Sequence, residues 1–404
     1  MSNRFRYLLM AVSLILVLYI VIGGVLGSSS STNEQTYKDL GVYSEVLSRI
    51  KSDYVTEPSL PKVTDGAIRG LLEALDPYST YFTPEQFKEY QEHPNPGPAG
   101  VGLFVSKKFG FATVISVLPG SPADKAGIKP ADLIDRINGK PVRELSAVQI
   151  ERKLAGEPGT TVELWVVNES RGEPQKMTLT RVVLAPPAVS AKMADDQTAY
   201  VRVDTFNQGK AQEVAAALKK LTAEGANKIV LDLRDCAGGE VEEAVKTASL
   251  FIDKGLITYT QGQRSPRHDF MAEPMGTVFR QPLAVLINRA TAGPAEIVAA
   301  AVLGDKRGDV VGVPSFGVGV VQKTIPVGDG SGLLLSVAKY YGPDGKVIED
   351  KGVTPNVMVP SPGEVASLSG GPLVTRQQFG TKDDTQLQKA IEVLRQESTP
   401  AKAA

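Results

Sequence analysis

Two residue types are nearly missing from this chain of 404 residues: it has one cysteine, Cys236, and two histidines, His93 and His268. A single cysteine excludes an intramolecular disulfide and a zinc site built from cysteines. Two histidines argue against a multi-histidine metal centre, and a Ser-His-Asp triad would have to recruit one of them. Neither a metal nor another cofactor is expected. An excess of charge is missing too, with 44 basic and 45 acidic side chains giving a formal net charge of -1. Bulk electrostatics therefore offers nothing to attract nucleic acid, and no nucleic-acid partner is expected. What remains is ordinary globular material, 42% hydrophobic and 22% charged, long enough for two to three domains of about 150 residues.

The most apolar stretch is at the start. Arg4 and Arg6 precede a run from Tyr7 to Leu26 with no polar face. Twenty helical residues reach about 30 Å, the thickness of a bilayer core. Residues 1–27 therefore read as a transmembrane anchor or a signal segment. The run is long for a signal peptide, and Val25-Leu26-Gly27 resembles a cleavage site only loosely, which favours the anchor. The basic flank puts the N-terminus in the cytoplasm and the rest of the chain across the membrane.

Residues 36–98 read as a helical region. Helices are predicted over Tyr37 to Tyr54, where apolar residues recur at helical spacing, over Asp65 to Leu75, and after Thr83-Pro84-Glu85. A Pro/Gly-rich stretch, His93 to Gly100, closes it. Residues 99–185 form a compact β-rich unit. Strands are expected at Val101–Val105, Ala112–Val117, Asp132–Ile137 and Thr161–Val167. Asn138-Gly139 reads as a two-residue hairpin and Ser146–Leu154 as a helix. In residues 186–360, strands alternate with helices: Ala199–Val203, then Gln208–Ala223; Ile229–Leu233, then Glu240–Phe251; Leu283–Ile287, then Pro294–Leu303. That alternation argues an α/β domain. Residues 361–404 read as a linker, from Ser361 to Gly371, followed by a helix over Thr385–Gln396.

Several segments together carry a family resemblance. Leu75-Asp76-Pro77-Tyr78-Ser79-Thr80-Tyr81-Phe82 is similar to an "LDPHSSYL" motif. Leu231-Asp232-Leu233-Arg234 with Gly238-Gly239 is similar to "LDLRNNPGG". Pro314-Ser315-Phe316-Gly317 with Val321-Gln322 is similar to "TFGKGxVQ". Ala338-Lys339-Tyr340-Tyr341, Gly345-Lys346 and Lys351-Gly352-Val353-Thr354-Pro355 follow in the same order. The chain thus resembles the carboxyl-terminal (tail-specific) processing peptidases of the S41 family over about residues 37 to 397. The stretch from Gly100 to Val142 resembles their PDZ domain. The resemblance implies an α/β fold with a helical N-terminal region, a PDZ domain and a ClpP/crotonase-like core. It also implies a bacterial cell envelope location, anchored in the inner membrane with the domains facing the periplasm or exterior.

The family's chemistry uses a serine nucleophile and a lysine base. The serine lies three residues before a glutamate in an S-A-S-A-S-E run, and the lysine twenty-two residues after it. Here the run reads Thr291-Ala292-Gly293-Pro294-Ala295-Glu296. The nucleophile position is Gly293 and the lysine position is Val318. Glycine has no side chain to attack a carbonyl, and valine cannot accept a proton. Pro294 falls where the family uses a backbone N–H for the oxyanion, and proline has none. Gly238 or Gly239 could still supply the other donor. Gln322 is retained where the family's glutamine orients the lysine. A relocated nucleophile would have to be a residue such as Thr291. Lys323 lies at an odd offset from Val318, on the opposite face of a strand.

What the resemblance leaves intact is binding. Gly100-Val101-Gly102-Leu103-Phe104 resembles the PDZ loop that holds a terminal carboxylate. A peptide would add as a strand beside it, against a helix expected to present Val148, Ile150 and Leu154. The expected partners are protein C-termini, the inner membrane and a protease that this chain regulates or scaffolds. Two alternatives remain: an active serine-type endopeptidase with a relocated nucleophile, and a structural envelope protein with a closed PDZ groove. Cys236 is expected to be buried and inert, His93 solvated, and His268 part of a polar loop without chemistry.

Overall fold

A computed structural model of the chain describes residues 30–95, 97–108, 110–168, 172–274, 276–360 and 379–397. The apolar run from Tyr7 to Leu26 and the linker expected at 361–371 lie outside the described residues. Among the described residues, no helix is long and apolar enough to cross a membrane.

The chain divides into two units, Met1–Ile68 and Arg69–Ala404. The first holds α1 (Ser30–Asp53) and the start of α2 (Leu60–Glu73). Helix α1 spans the expected segment, but of its regularly spaced apolar residues only Leu47 and Ile50 are half-buried, while Leu40, Val42, Tyr43 and Val46 are exposed. Helix α2 starts before the expected Asp65 because Pro61 sits in its first turn, where a missing N–H is harmless.

The second unit opens with β1 (Thr80–Phe82) and α3 (Pro84–Glu92). Thr83 and Gln86 form a reciprocal capping box at the start of α3. Next come β2 (Leu103–Lys108), β3 (Phe111–Val117), α4 (Pro122–Lys125), β4 (Leu133–Ile137), β5 (Lys140–Pro141), α5 (Ala147–Leu154), β6 (Thr161–Val167) and β7 (Gln175–Thr180). They make one sheet in the order β2-β3-β4-β6-β7, with β5 beside β4. Asn138 and Gly139 both adopt positive φ, as the predicted hairpin requires. The inward faces of these strands, with Ile150 and Leu154 of α5, form their own apolar core. Strand β2 lies at the edge of this sheet and pairs only with β3.

The α/β core follows with β8 (Ser190–Met193), β9 (Thr198–Arg202), α6 (Lys210–Ala223), β10 (Lys228–Asp232), α7 (Val241–Ser249), β11 (Leu256–Gln261), β12 (His268–Met271), β13 (Leu283–Ile287), α8 (Pro294–Gly304), β14 (Asp309–Gly312), β15 (Val320–Pro326), β16 (Gly332–Tyr341), β17 (Val357–Met358) and α9 (Thr385–Glu397). One sheet runs β17-β14-β13-β10-β9-β8 and is parallel apart from β8. Its central strands β10 and β13 are buried on both faces, which is why they read as continuous apolar runs. Residues of α6, α7 and α8 cover one face. Leu387, Ala390, Ile391 and Leu394 of α9 cover the other. The last helix is therefore a layer of this core. A second sheet joins β1, β16, β11 and β12, with β15 beside β16. Through it, Thr80 pairs with Leu334, so a segment grouped with the N-terminal helices is built into this sheet. His268, expected in a loop, belongs to β12 and is exposed, with its ring edge-on to Phe270.

Candidate functional site

Gly293, the residue that the resemblance places at the nucleophile position, lies in the turn between β13 and α8, as the N-cap of α8. Gly293 has φ 62 and ψ -121, a strained backbone for any residue with a side chain. Its N–H donates to Glu296 Oε2 at 2.9 Å. A Cβ added at 293 would meet no atom within 4 Å, so the space in front of this position is open. Pro294 follows at the first position of α8.

Glu296 organises what surrounds the lost lysine. Fully buried, it accepts from the Ser315 hydroxyl, from the Gly317 N–H at 2.8 Å and from the Val318 N–H at 2.8 Å. Burial pushes its carboxyl up to about 7, against the lowering pull of those bonds. The loop is thus held where a lysine would be presented, but the side chain presented is Val318. It packs with Phe104, Ile115, Ala237, Ala292 and Phe316. Gln322, whose Nε2 donates to the Tyr78 carbonyl at 3.0 Å, has a structural partner in place of a lysine.

Gly238 stands opposite, after the buried Asp232-Leu233-Arg234 segment. Its φ is 74, and Phe104 lies directly over it: a Cβ at 238 would come within 2.2 Å of the Phe104 ring. Gly239 approaches the Phe206 backbone as closely and lies behind the cavity wall. Cys236 is fully buried, and burial raises its thiol pKa well above the ordinary value, so it is inert as expected.

These positions and the β-rich unit share one cavity of about 660 Å³. Gly100, Val101, Gly102, Leu103 and Phe104 line one side of it, and Ala237, Gly238, Ala292, Gly293, Pro294, Val318 and Gln322 the other. At Gly102, φ is 82 and a Cβ would fall 2.2 Å from that of Ser121, so only glycine fits. The carbonyls of Val101 and Gly102 accept from the N–H groups of Ala123 and Leu118, which fixes the loop. Among the described residues, the lining contains no serine, threonine, cysteine, lysine or histidine.

Several expected site residues lie elsewhere. Thr291 is fully buried; its hydroxyl donates to the Leu233 carbonyl at 2.7 Å and accepts the Asn288 N–H at 3.0 Å. Both ends of that hydroxyl are occupied in the interior, so Thr291 does not reach the cavity. Lys323 lines a separate groove, but not by simple alternation from Val318: Val318 precedes β15, and the strand's register shifts between Val321 and Gln322. Val148 packs on Phe82, Phe87 and Leu334, and Ile150 is fully buried in the core of the β-rich unit. The helix shows the cavity Glu151, Leu154 and Ala155 instead. The 3.6-residue period fixes which residues share a face, but the choice of face is tertiary.

One buried cluster has a member that motif reading missed. Arg234 donates to Asp232, to both carboxylate oxygens of Asp384 and to Gln386, while Tyr200 donates to Asp232 at 2.6 Å. Asp384 therefore clamps the start of α9 to the segment leading to Gly238.

Comparison with known proteins matches this architecture. Residues 197–359 match the model of peptidase family S41, and residues 113–168 match a PDZ domain. The carboxy-terminal processing protease CtpA of Bacillus subtilis (strain 168) is 34% identical over 335 residues, covering 83% of this chain and 71% of that protein. The carboxy-terminal-processing protease of Bartonella bacilliformis (strain ATCC 35685 / KC583 / Herrer 020/F12,63) is 30% identical over 404 residues, covering 93% of this chain and 92% of that protein. A solved photosystem II D1 C-terminal processing protease superposes with a TM-score of 0.64 at 26% identity, covering 81% of this chain and 95% of that one. With a PDZ unit, an α/β core and a cavity shared between them, the chain belongs to the S41 family of carboxyl-terminal processing peptidases.

Proposed function

We propose that this chain is a non-hydrolysing member of the S41 family that captures protein C-termini and regulates or scaffolds proteolysis in the cell envelope. One observation carries the reading. Among the described residues, the cavity where the family's dyad belongs offers no hydroxyl, thiol, amine or imidazole beyond the Tyr78 phenol. Loss of a serine nucleophile costs about 10⁶ in rate. Loss of one oxyanion donor, as at Pro294, costs about 10²–10³. A relocated nucleophile has no candidate, since Thr291 is buried. Binding keeps its parts: a fixed glycine loop, an apolar wall of Leu103, Leu118, Leu154 and Leu184, and an edge strand to which a peptide can add. The run from Tyr7 to Leu26 with Arg4 and Arg6 supports inner-membrane anchoring, with the domains facing the periplasm or exterior.

The test is a paired assay on the purified protein. Fluorescent peptides with free carboxyl ends should bind, and their C-terminal amides should not. No cleavage of a C-terminally tagged protein should be detectable. Turnover that survives repurification would overturn the reading, and so would equal binding of acid and amide peptides.

A further inference from the structure

Glu151 faces the shared cavity from α5 and, among the described residues, is the only carboxylate in its lining, which holds no lysine, arginine or histidine. The side chain has no hydrogen-bond or ion-pair partner among the described residues, and its neighbour Arg152 is turned away over the Tyr90 ring. Burial against the walls raises the Glu151 carboxyl above the ordinary glutamate value, and no charged neighbour contributes. An unpaired carboxylate in a groove for carboxyl ends is a liability unless the ligand brings a cation.

The geometry says which ligand residue meets it. Leu154 lies at the end of α5 nearest the glycine loop: its carbonyl is 4.0 Å from where a Cβ of Gly100 would stand. Glu151 is three residues back, about 4.5 Å along the helix. A peptide paired with the edge strand β2 turns every second side chain towards α5, about 6.6 Å apart. If its carboxylate is held at Val101–Leu103, the last side chain meets Leu154, Leu118 and Leu184. The third from the end comes next on that face, opposite Glu151.

We propose that Glu151 is the specificity-determining residue of the groove, selecting tails with lysine or arginine third from the end and an apolar last residue, and rejecting aspartate or glutamate there. The proposal rests on the C-terminal capture reading and deepens it.

The experiment uses fluorescein-labelled decapeptides that differ only at the third residue from the end, as lysine, alanine or glutamate, with the free acid and amide of each. Binding is read by anisotropy for the unmodified protein, Glu151→Gln and Glu151→Lys. The unmodified protein should prefer lysine over glutamate by about tenfold, with alanine between. Glu151→Gln should reduce that spread to about twofold or less, and Glu151→Lys should invert it. Because the Glu151 side chain makes no hydrogen bond or ion pair among the described residues that either variant would break, both should keep a melting temperature close to the parent's. Acid-dependent binding with the same order of preference in Glu151→Gln would overturn this proposal and leave C-terminal capture standing. No binding, or equal binding of acid and amide, would overturn C-terminal capture and this proposal with it.

Discussion

The ring of Phe104, from the PDZ loop, rests on the backbone of Gly238, the surviving candidate oxyanion donor, so closely that a Cβ there would lie 2.2 Å from the ring. The β-rich unit and the α/β core are in direct contact here, joined by an apolar cluster that includes Val318.

That contact makes Gly238→Ala a strong destabiliser. A side chain at φ 74 costs about 1–2 kcal/mol, and overpacking adds about 1–3 kcal/mol. Urea denaturation should show a loss of about 2–5 kcal/mol. Phe104→Ala in the same chain should recover the overpacking part, because the two positions touch.

Glu296 should give stability a pH dependence. Its carboxyl is raised from an ordinary 4.5 to about 7. Between those values the folded protein holds a proton that the unfolded chain has released. The contribution is complete below about pH 4.5 and is lost as pH rises through about 7, with an upper limit of about 3 kcal/mol. Glu296→Gln should be less stable, since an amide NH₂ then faces N–H donors, but it should lack this slope. Denaturation midpoints of both proteins across the window decide it.

Asp384→Ala should cost about 3 kcal/mol, because it strips a buried guanidinium of one of its two carboxylates. Helix α9 should become the first region to exchange amide hydrogens, because Asp384 is the clamp at its start.

Restoring the chemistry should require several positions at once. Gly293→Ser alone should yield no detectable cleavage, although the space for its side chain is open. Gly293→Ser with Pro294→Ala and Val318→Lys should produce cleavage of a C-terminally tagged protein, because residues that act as a unit are far from additive. Thr291→Val tests the opposite point. It should lower stability by about 1–3 kcal/mol by leaving the Asn288 N–H without its acceptor and the Leu233 carbonyl with only the Cys236 N–H, and it should leave peptide binding unchanged.

Much of the fold was legible in local pattern. The Asn138-Gly139 turn, the Ser146 cap of α5 and the doubly buried strands β10 and β13 follow from turn chemistry, capping and apolar runs. Pairings between distant segments were not legible. Thr80 meets Leu334, and Arg234 meets Asp384, across stretches of chain that local propensity does not connect. The groove shows the same limit. Helical periodicity placed Val148, Ile150 and Leu154 together as candidates, yet only Leu154 lines the cavity.

The scarcity of cysteine and histidine, and the glycine, proline and valine at the family's chemical positions, were fixed by the sequence alone. A missing atom is missing in any conformation. Only tertiary structure decided that Thr291 is spent on backbone partners and that Glu151 lines the cavity without a side-chain partner among the described residues. Those facts depend on which side chains converge on one cavity, and packing between segments far apart in the chain sets that convergence.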